Sequence, residues 1–163
     1  MGGKRPRLRA VFDCMVFLQG AARKGSPSGV CLQVVEAGLV ELFLSDDIIA
    51  EIRDVLRRPR LRQKFPVLTD EFVDEFLGAL LACSSPVRDV PRVFTYERDP
   101  KDEPYINLAL AGQAEYLVSR DADILDLGNI ANPEGRRFQE QFPRVKIVDP
   151  LTFLQEVRKR ESE

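Results

Sequence analysis

The chain reads as an α/β protein of three layers, α/β/α, in which helices cover both faces of a mainly parallel central sheet. Short apolar runs of strand length alternate along it with longer segments whose apolar residues recur at helical spacing. The runs LRAVF at Leu8–Phe12 and YLV at Tyr116–Val118 are almost uninterrupted, as strands buried on both faces are. An aspartate follows each closely, Asp13 and Asp121, and ligands gather at the carboxyl ends of parallel strands. At 163 residues with 44% apolar content, a single domain over residues 1–163 with a sizeable core is expected.

The elements follow in order. Leu8–Phe12 is the first strand and ends on Asp13. Gly and Pro punctuate Phe17–Gly29, which predicts a helical turn and then a loop. Val30, Val34 and Val35 recur at helical spacing, and Gly38 stops that helix. Leu39–Leu44 is the second strand. Ser45 caps a helix with Asp46 and Asp47 in its first turn, and Pro59 stops it or begins a new short turn. Thr69 caps a helix whose apolar face carries Phe72, Phe76, Leu77, Leu80 and Leu81. Pro86–Val93 is expected to be a connector with an edge strand. Asp99-Pro100 opens a further helix, which leads into Tyr116–Val118. The polar, aperiodic stretch Asn129–Pro143 predicts a loop. Val145–Val148 is the last strand, and Asp149-Pro150 starts a terminal helix ending near Arg158.

Composition removes several function classes. There is no histidine, so a histidine-dependent triad or a histidine-bearing zinc site is excluded. Three cysteines, Cys14, Cys31 and Cys83, have no metal-ligand spacing and predict free buried thiols in a reducing cytoplasm. No apolar run approaches the roughly 20 residues of a spanning helix. The basic start leads into no signal-like segment, so a cytoplasmic protein without membrane association is expected. The net charge of −2 is nearly neutral, and a local patch matters more than the sum.

Four acids fall where such a sheet brings residues together: Asp13, Glu51, Asp102 and Asp121. Each also has a plain structural use. Asp13 can cap the next helix, and Glu51 can pair with a neighbouring arginine on its helix. Asp99-Pro100-Lys101-Asp102 fits a helix start with an acid in the first turn, and Asp121 and Asp123 can cap a turn. As a set they point elsewhere. Gathered carboxylates repel one another unless a cation neutralises them, and an oxygen-only donor set without histidine suits a hard cation such as Mg²⁺ or Mn²⁺.

The segments LRAVFDCMVFLQG, LSDDIIAEIRDVLRRPRL and RDPKDEPYINLALAGQAEYLVSRDADIL resemble successive signatures of the PIN domain, a Rossmann-like fold, over nearly the whole chain. The nearest subgroup comprises toxin components of toxin–antitoxin systems. The resemblance implies a metal-dependent ribonuclease with catalytic acids at Asp13, Glu51, Asp102 and Asp121, and with Mg²⁺ or Mn²⁺ held by Asp13, Asp102, Asp121 and Asp123. Ser119 stands at the family's Thr/Ser position, and Asp99 and Glu103 compete with Asp102 for the third ligand. An RNA substrate, a small antitoxin protein and a homodimer are the implied partners. One departure is plain: where the family carries Asp-Thr-Asn or a close variant, this chain has Asp13-Cys14-Met15, and methionine has no strong donor to offer a carboxylate.

Basic residues crowd two regions, Arg53, Arg57, Arg58, Arg60, Arg62 and Lys64 around Pro59, and Arg136, Arg137, Arg144 and Lys146 later. The first is the candidate phosphate-tracking patch, and a solvated helix C-terminus is its alternative. Two rivals to the nuclease remain. One is a PIN-like module that binds RNA or protein without cutting. The other is a receiver-like phospho-acceptor, for which no lysine stands after a late strand.

Overall fold

A computed structural model of the protein describes residues 6–163; Met1–Arg5, within the stretch read for a secretion signal, lie outside them. Five parallel strands form one sheet in the order β3-β2-β1-β4-β5. They are β1 (Leu8–Phe12), β2 (Val40–Leu44), β3 (Ser84–Pro86), β4 (Tyr116–Val118) and β5 (Lys146–Val148). The chain winds outward from β1 to β2 and β3, then returns to place β4 on the other side of β1. Ala10, Val11 and Phe12 of β1 pair with Tyr116, Leu117 and Val118 of β4.

Helices cover both faces, as the alternating pattern requires. α1 (Cys14–Ala22), α2 (Pro27–Glu36) and α9 (Pro150–Ser162) pack together, and α3 (Asp46–Leu56), α5 (Asp70–Cys83) and α6 (Glu103–Ala111) form the other set. Phe12, fully buried in β1, meets Phe17 of α1 and Phe153 of α9 at ring-centroid distances of 5.9 and 5.7 Å. Ser45, Thr69 and Asp149 cap their helices as expected from sequence. Gly38 follows α2 with φ +82°, the left-handed conformation that only glycine adopts without strain.

Several elements differ from the sequence expectation. α1 begins directly after Asp13 rather than as a turn near Phe17, because the Asp13 side chain accepts the Val16 amide and caps it. The edge strand is Ser84–Pro86, so only its last residue falls within the expected Pro86–Val93 connector. Within the expected loop 129–143 lies α8 (Pro133–Gln141), capped by Asn132. Only Gly135 and Phe138 of α8 are buried, a stripe too narrow to register as apolar periodicity. Cys31 is buried, whereas Cys14 and Cys83 are only partly so, and all three are free.

The segment 88–97, which has no regular secondary structure, hangs from α6. Asn107 Oδ1 accepts the amides of Val93 and Phe94 at 3.0 and 2.8 Å, and its Nδ2 donates to the Phe94 carbonyl at 3.0 Å. This satisfies backbone groups that no strand partner serves.

Candidate metal centre

Because β2 and β4 leave β1 in opposite directions, the carboxyl ends of β1 and β4 frame a switch point in the sheet, where open α/β folds bind ligands. Asp13 follows β1 there. Its amide donates to the Val118 carbonyl at 3.0 Å, and its Oδ1 accepts the Val16 amide at 3.1 Å. Ser119, fully buried after β4, donates its hydroxyl to Asp13 Oδ2 and accepts the Asp121 amide at 2.9 Å. Asp121 Oδ1 in turn accepts the Asp123 amide at 2.7 Å, opening the short helix α7 (Ala122–Asp126). One side chain thus ties the two strand ends together.

Asp102 arrives from the other direction. It closes a 3-10 turn, Pro100–Asp102, for which Asp99 is the cap, and it makes no capping bond to α6. The helix-start reading of Asp99-Pro100 therefore holds, but it leaves the Asp102 side chain uncommitted. Asp102 is 7% exposed, and its Oδ2 is buried with no hydrogen-bond partner. Single carboxylate oxygens of Asp99, Asp102, Asp121 and Asp123 lie within 4.8 Å of one another. Burial first, then the charges of Asp121, Asp99, Asp13 and Asp123, push the Asp102 carboxyl up to about 8. Burial also raises Asp13 to about 6, against the hydrogen bonds from Ser119 and Val16. Asp13 is not one of the four clustered acids and is joined to them through Ser119. An orphaned carboxylate oxygen inside a cluster of gathered carboxylates is a donor set that fits a hard divalent cation.

The other sequence-predicted residues are placed differently. Glu51, half-buried on α3, lies beside the Cys14 thiol and Tyr105. Burial and then the Glu51 charge push Cys14 up to about 12. The Tyr105 hydroxyl is buried without a hydrogen-bond partner of good geometry. Glu103 is committed elsewhere: Oε1 accepts from Arg92 at 3.1 and 3.3 Å, and Oε2 accepts the Tyr96 amide at 2.9 Å. The Tyr96 amide, then Arg92, hold its carboxyl below the usual range. Glu103 braces the 92–96 segment. Met15 is 44% exposed, so its thioether does not serve the core.

The Arg53–Lys64 patch is partly neutralised. Arg53 and Arg57 both approach Asp74 of α5, at 3.8 and 3.9 Å, Arg58 pairs with Asp54 at 3.2 Å, and Arg62 with Asp70 at 2.8 Å. Arg60 is exposed at the start of α4 (Pro59–Lys64). At about 100° per residue, Arg53 and Arg57 stand about 200° and about 240° around α3 from Glu51. They therefore face α5, not the side of α3 on which Glu51 meets α1 and α6.

Sequence reading missed Arg98, which stands just before Asp99. Its Nε donates to Asp123 Oδ1 at 2.7 Å and its Nη2 to Asp126 Oδ2 at 2.5 Å. Tyr96, also missed, donates its hydroxyl to the Asp123 carbonyl at 2.9 Å. Neither had a signal beyond position in the motif, since both act through contacts distant in sequence.

Fold and site together define an α/β protein that gathers carboxylates, a donor set that fits a cation, at the switch point of a parallel sheet. A family model described as the PIN domain matches residues 9–123. The chain belongs to the PIN domain family, whose members are in general metal-dependent nucleases. It is also similar to proteins named UDP-3-O-acyl-N-acetylglucosamine deacetylase. Those of Campylobacter lari and Campylobacter jejuni are 29% and 28% identical over 145 residues, 80% of this chain and 48% of each relative. That of Campylobacter fetus is 29% identical over 150 residues, 78% of this chain and 47% of the relative. The chain thus spans about half the length of these relatives. Among the described residues no helix is long and apolar enough to cross a membrane.

Proposed function

We propose that this protein is an endoribonuclease that cleaves RNA phosphodiester bonds with Mg²⁺ or Mn²⁺, acting in the cytoplasm. The observation that carries the reading is the unpartnered Asp102 Oδ2 within the carboxylate cluster of a PIN domain. Asp13, Asp102 and Asp121 are the residues that hold the ion, and Asp99 adds negative potential around it. A bound divalent cation supplies Lewis acidity toward the phosphate and a water of lowered pKa. Ser119 orients Asp13 and Asp121 relative to each other, and Glu51 adds a carboxylate on the α1–α6 side. The relatives' deacetylase name lends no support to RNA as substrate; the family supports a nuclease, and the cluster supports its metal.

The toxin of a toxin–antitoxin pair is the biological role that fits this reading, with a small antitoxin protein over the cluster and a homodimer as the working unit. A second reading, a module that binds without cutting, is favoured by Cys14-Met15 beside Asp13. Labelled single-stranded RNA incubated with purified protein in Mn²⁺ and in chelator separates them. Cutting in Mn²⁺ that Asp102→Asn abolishes supports the nuclease. Binding without cutting in either condition replaces it with the module.

A further inference from the structure

The resting charge balance of the cluster depends on a residue that the nuclease reading does not use. We propose that the Arg98 guanidinium takes the place of a second cation, so that the centre binds one divalent ion, on Asp13, Asp102 and Asp121, while Arg98 holds Asp123. This rests on the metal-dependent reading above and specifies its stoichiometry.

The two ends of the cluster differ in what occupies them. At one end Asp102 Oδ2 is buried and unpartnered on a side chain that is 7% exposed. At the other, Asp123 Oδ1 already receives Arg98 Nε at 2.7 Å. The same guanidinium reaches Asp126 Oδ2 at 2.5 Å, so the fork spans two carboxylates one helical turn apart. A guanidinium is charged at every accessible pH and presents its donors in a fixed plane. It therefore neutralises that end permanently, whereas an ion on Asp123 Oδ1 would have to displace the charge-assisted hydrogen bond that Arg98 Nε makes there. Tyr96 reinforces the arrangement by donating to the Asp123 carbonyl at 2.9 Å, which fixes the backbone from which Asp123 projects. The Asp102 end has no such resident cation among the described residues.

The plain alternative is that Arg98 only pins the 92–98 segment to α7. Ion counting distinguishes the two, because a mechanical brace leaves stoichiometry alone. The full chain is titrated with Mn²⁺, and free ion is read by electron paramagnetic resonance, for wild type, Asp121→Asn, Asp123→Asn and Arg98→Gln, with thermal melts alongside. Wild type is expected to bind one ion per chain. Asp121→Asn weakens it ~10-fold or more, at least the loss that an outer partner of a metal site causes. Asp123→Asn keeps one ion with little change in affinity, and Arg98→Gln gains a second. Two ions on wild type, one ion on folded Arg98→Gln, or a loss in Asp123→Asn equal to that in Asp121→Asn would each overturn the proposal. Should Arg98→Gln not fold, the double variant Arg98→Gln/Asp126→Asn, which removes the guanidinium together with the second carboxylate it satisfies, takes its place, and a single ion on that folded variant overturns the proposal. A wild type that binds no Mn²⁺ overturns the metal-dependent reading itself.

Discussion

The Ser119 hydroxyl donates to Asp13 Oδ2 across 106 positions of sequence and accepts the Asp121 amide at 2.9 Å with the same oxygen. A hydroxyl has one donor and two acceptor positions, so a single buried atom sets the spacing of two acids on neighbouring strands. Ser119→Ala leaves a buried carboxylate oxygen and a half-buried amide short of a partner, at a cost of about 1–3 kcal/mol. Mn²⁺ affinity should fall by about 10–100-fold, as when outer partners of metal ligands are lost. Chemical denaturation and calorimetric titration of the same variant check both. A loss of stability without a loss of affinity would make Ser119 a fold residue alone.

Stability without metal should fall as pH rises through the neutral range. Asp102 and Asp13 are raised from 3.8 to about 8 and about 6, so the native state holds protons that the unfolded chain has released. Their contribution is complete below the unfolded carboxylate pKa and is lost as pH climbs past about 6 for Asp13 and about 8 for Asp102. Melts in chelator between pH 5.5 and 8.5 should show a declining Tm. Asp102→Asn should flatten most of the upper part of that slope, and Mn²⁺ should do the same in wild type.

Met15 offers a test of the altered start of the site. At 44% exposure it can become asparagine without burying an amide, so stability should change by no more than about 0.5 kcal/mol. The packing cost that a core methionine would impose on this change does not arise. If an amide beside Asp13 helps to orient it, Met15→Asn should cleave RNA faster than wild type at equal Mn²⁺. An unchanged rate would remove position 15 from the mechanism.

RNA contact should run through cations near the cluster rather than through the Pro59 region. Arg57 faces α5 and approaches Asp74 at 3.9 Å, whereas Arg120 is exposed between Ser119 and Asp121 in sequence. Arg120→Ala should reduce the logarithmic salt slope of RNA binding by about 0.7, the value of one lost phosphate contact on a single strand. Arg57→Ala should leave it unchanged. Filter binding across a salt series measures both, and the reverse ranking would restore the Arg53–Lys64 patch as the RNA track.

Much of the fold was legible because its signals are local. Ser45, Thr69 and Asp149 declare helix starts through cap chemistry, and β1 and β4 declare burial through uninterrupted apolar runs. The helix at Pro133–Gln141 escaped because only Gly135 and Phe138 turn inward. At the site, the presence of the acids was legible, but their individual commitments were not. Glu103 and Asp102 are neighbours with similar chemistry, yet one satisfies Arg92 and Tyr96 while the other is left with an orphan oxygen. That difference is decided by the path of the 92–98 segment, whose contacts lie on separate elements. Arg98 was hidden for the same reason.

The sheet's two borders set limits on how copies of this protein can meet. β3 and β5 are three residues each, Ser84–Pro86 and Lys146–Val148. One ends in a residue without an amide hydrogen, and the other opens with a lysine, a charge that natural edge strands use against unwanted pairing. Neither border gives a neighbouring chain a useful ladder to extend. A continuous ten-stranded sheet across two copies is therefore disfavoured, and the proposed homodimer would have to be built from helix and loop surfaces, where individual side chains rather than backbone repeat determine which partner is accepted.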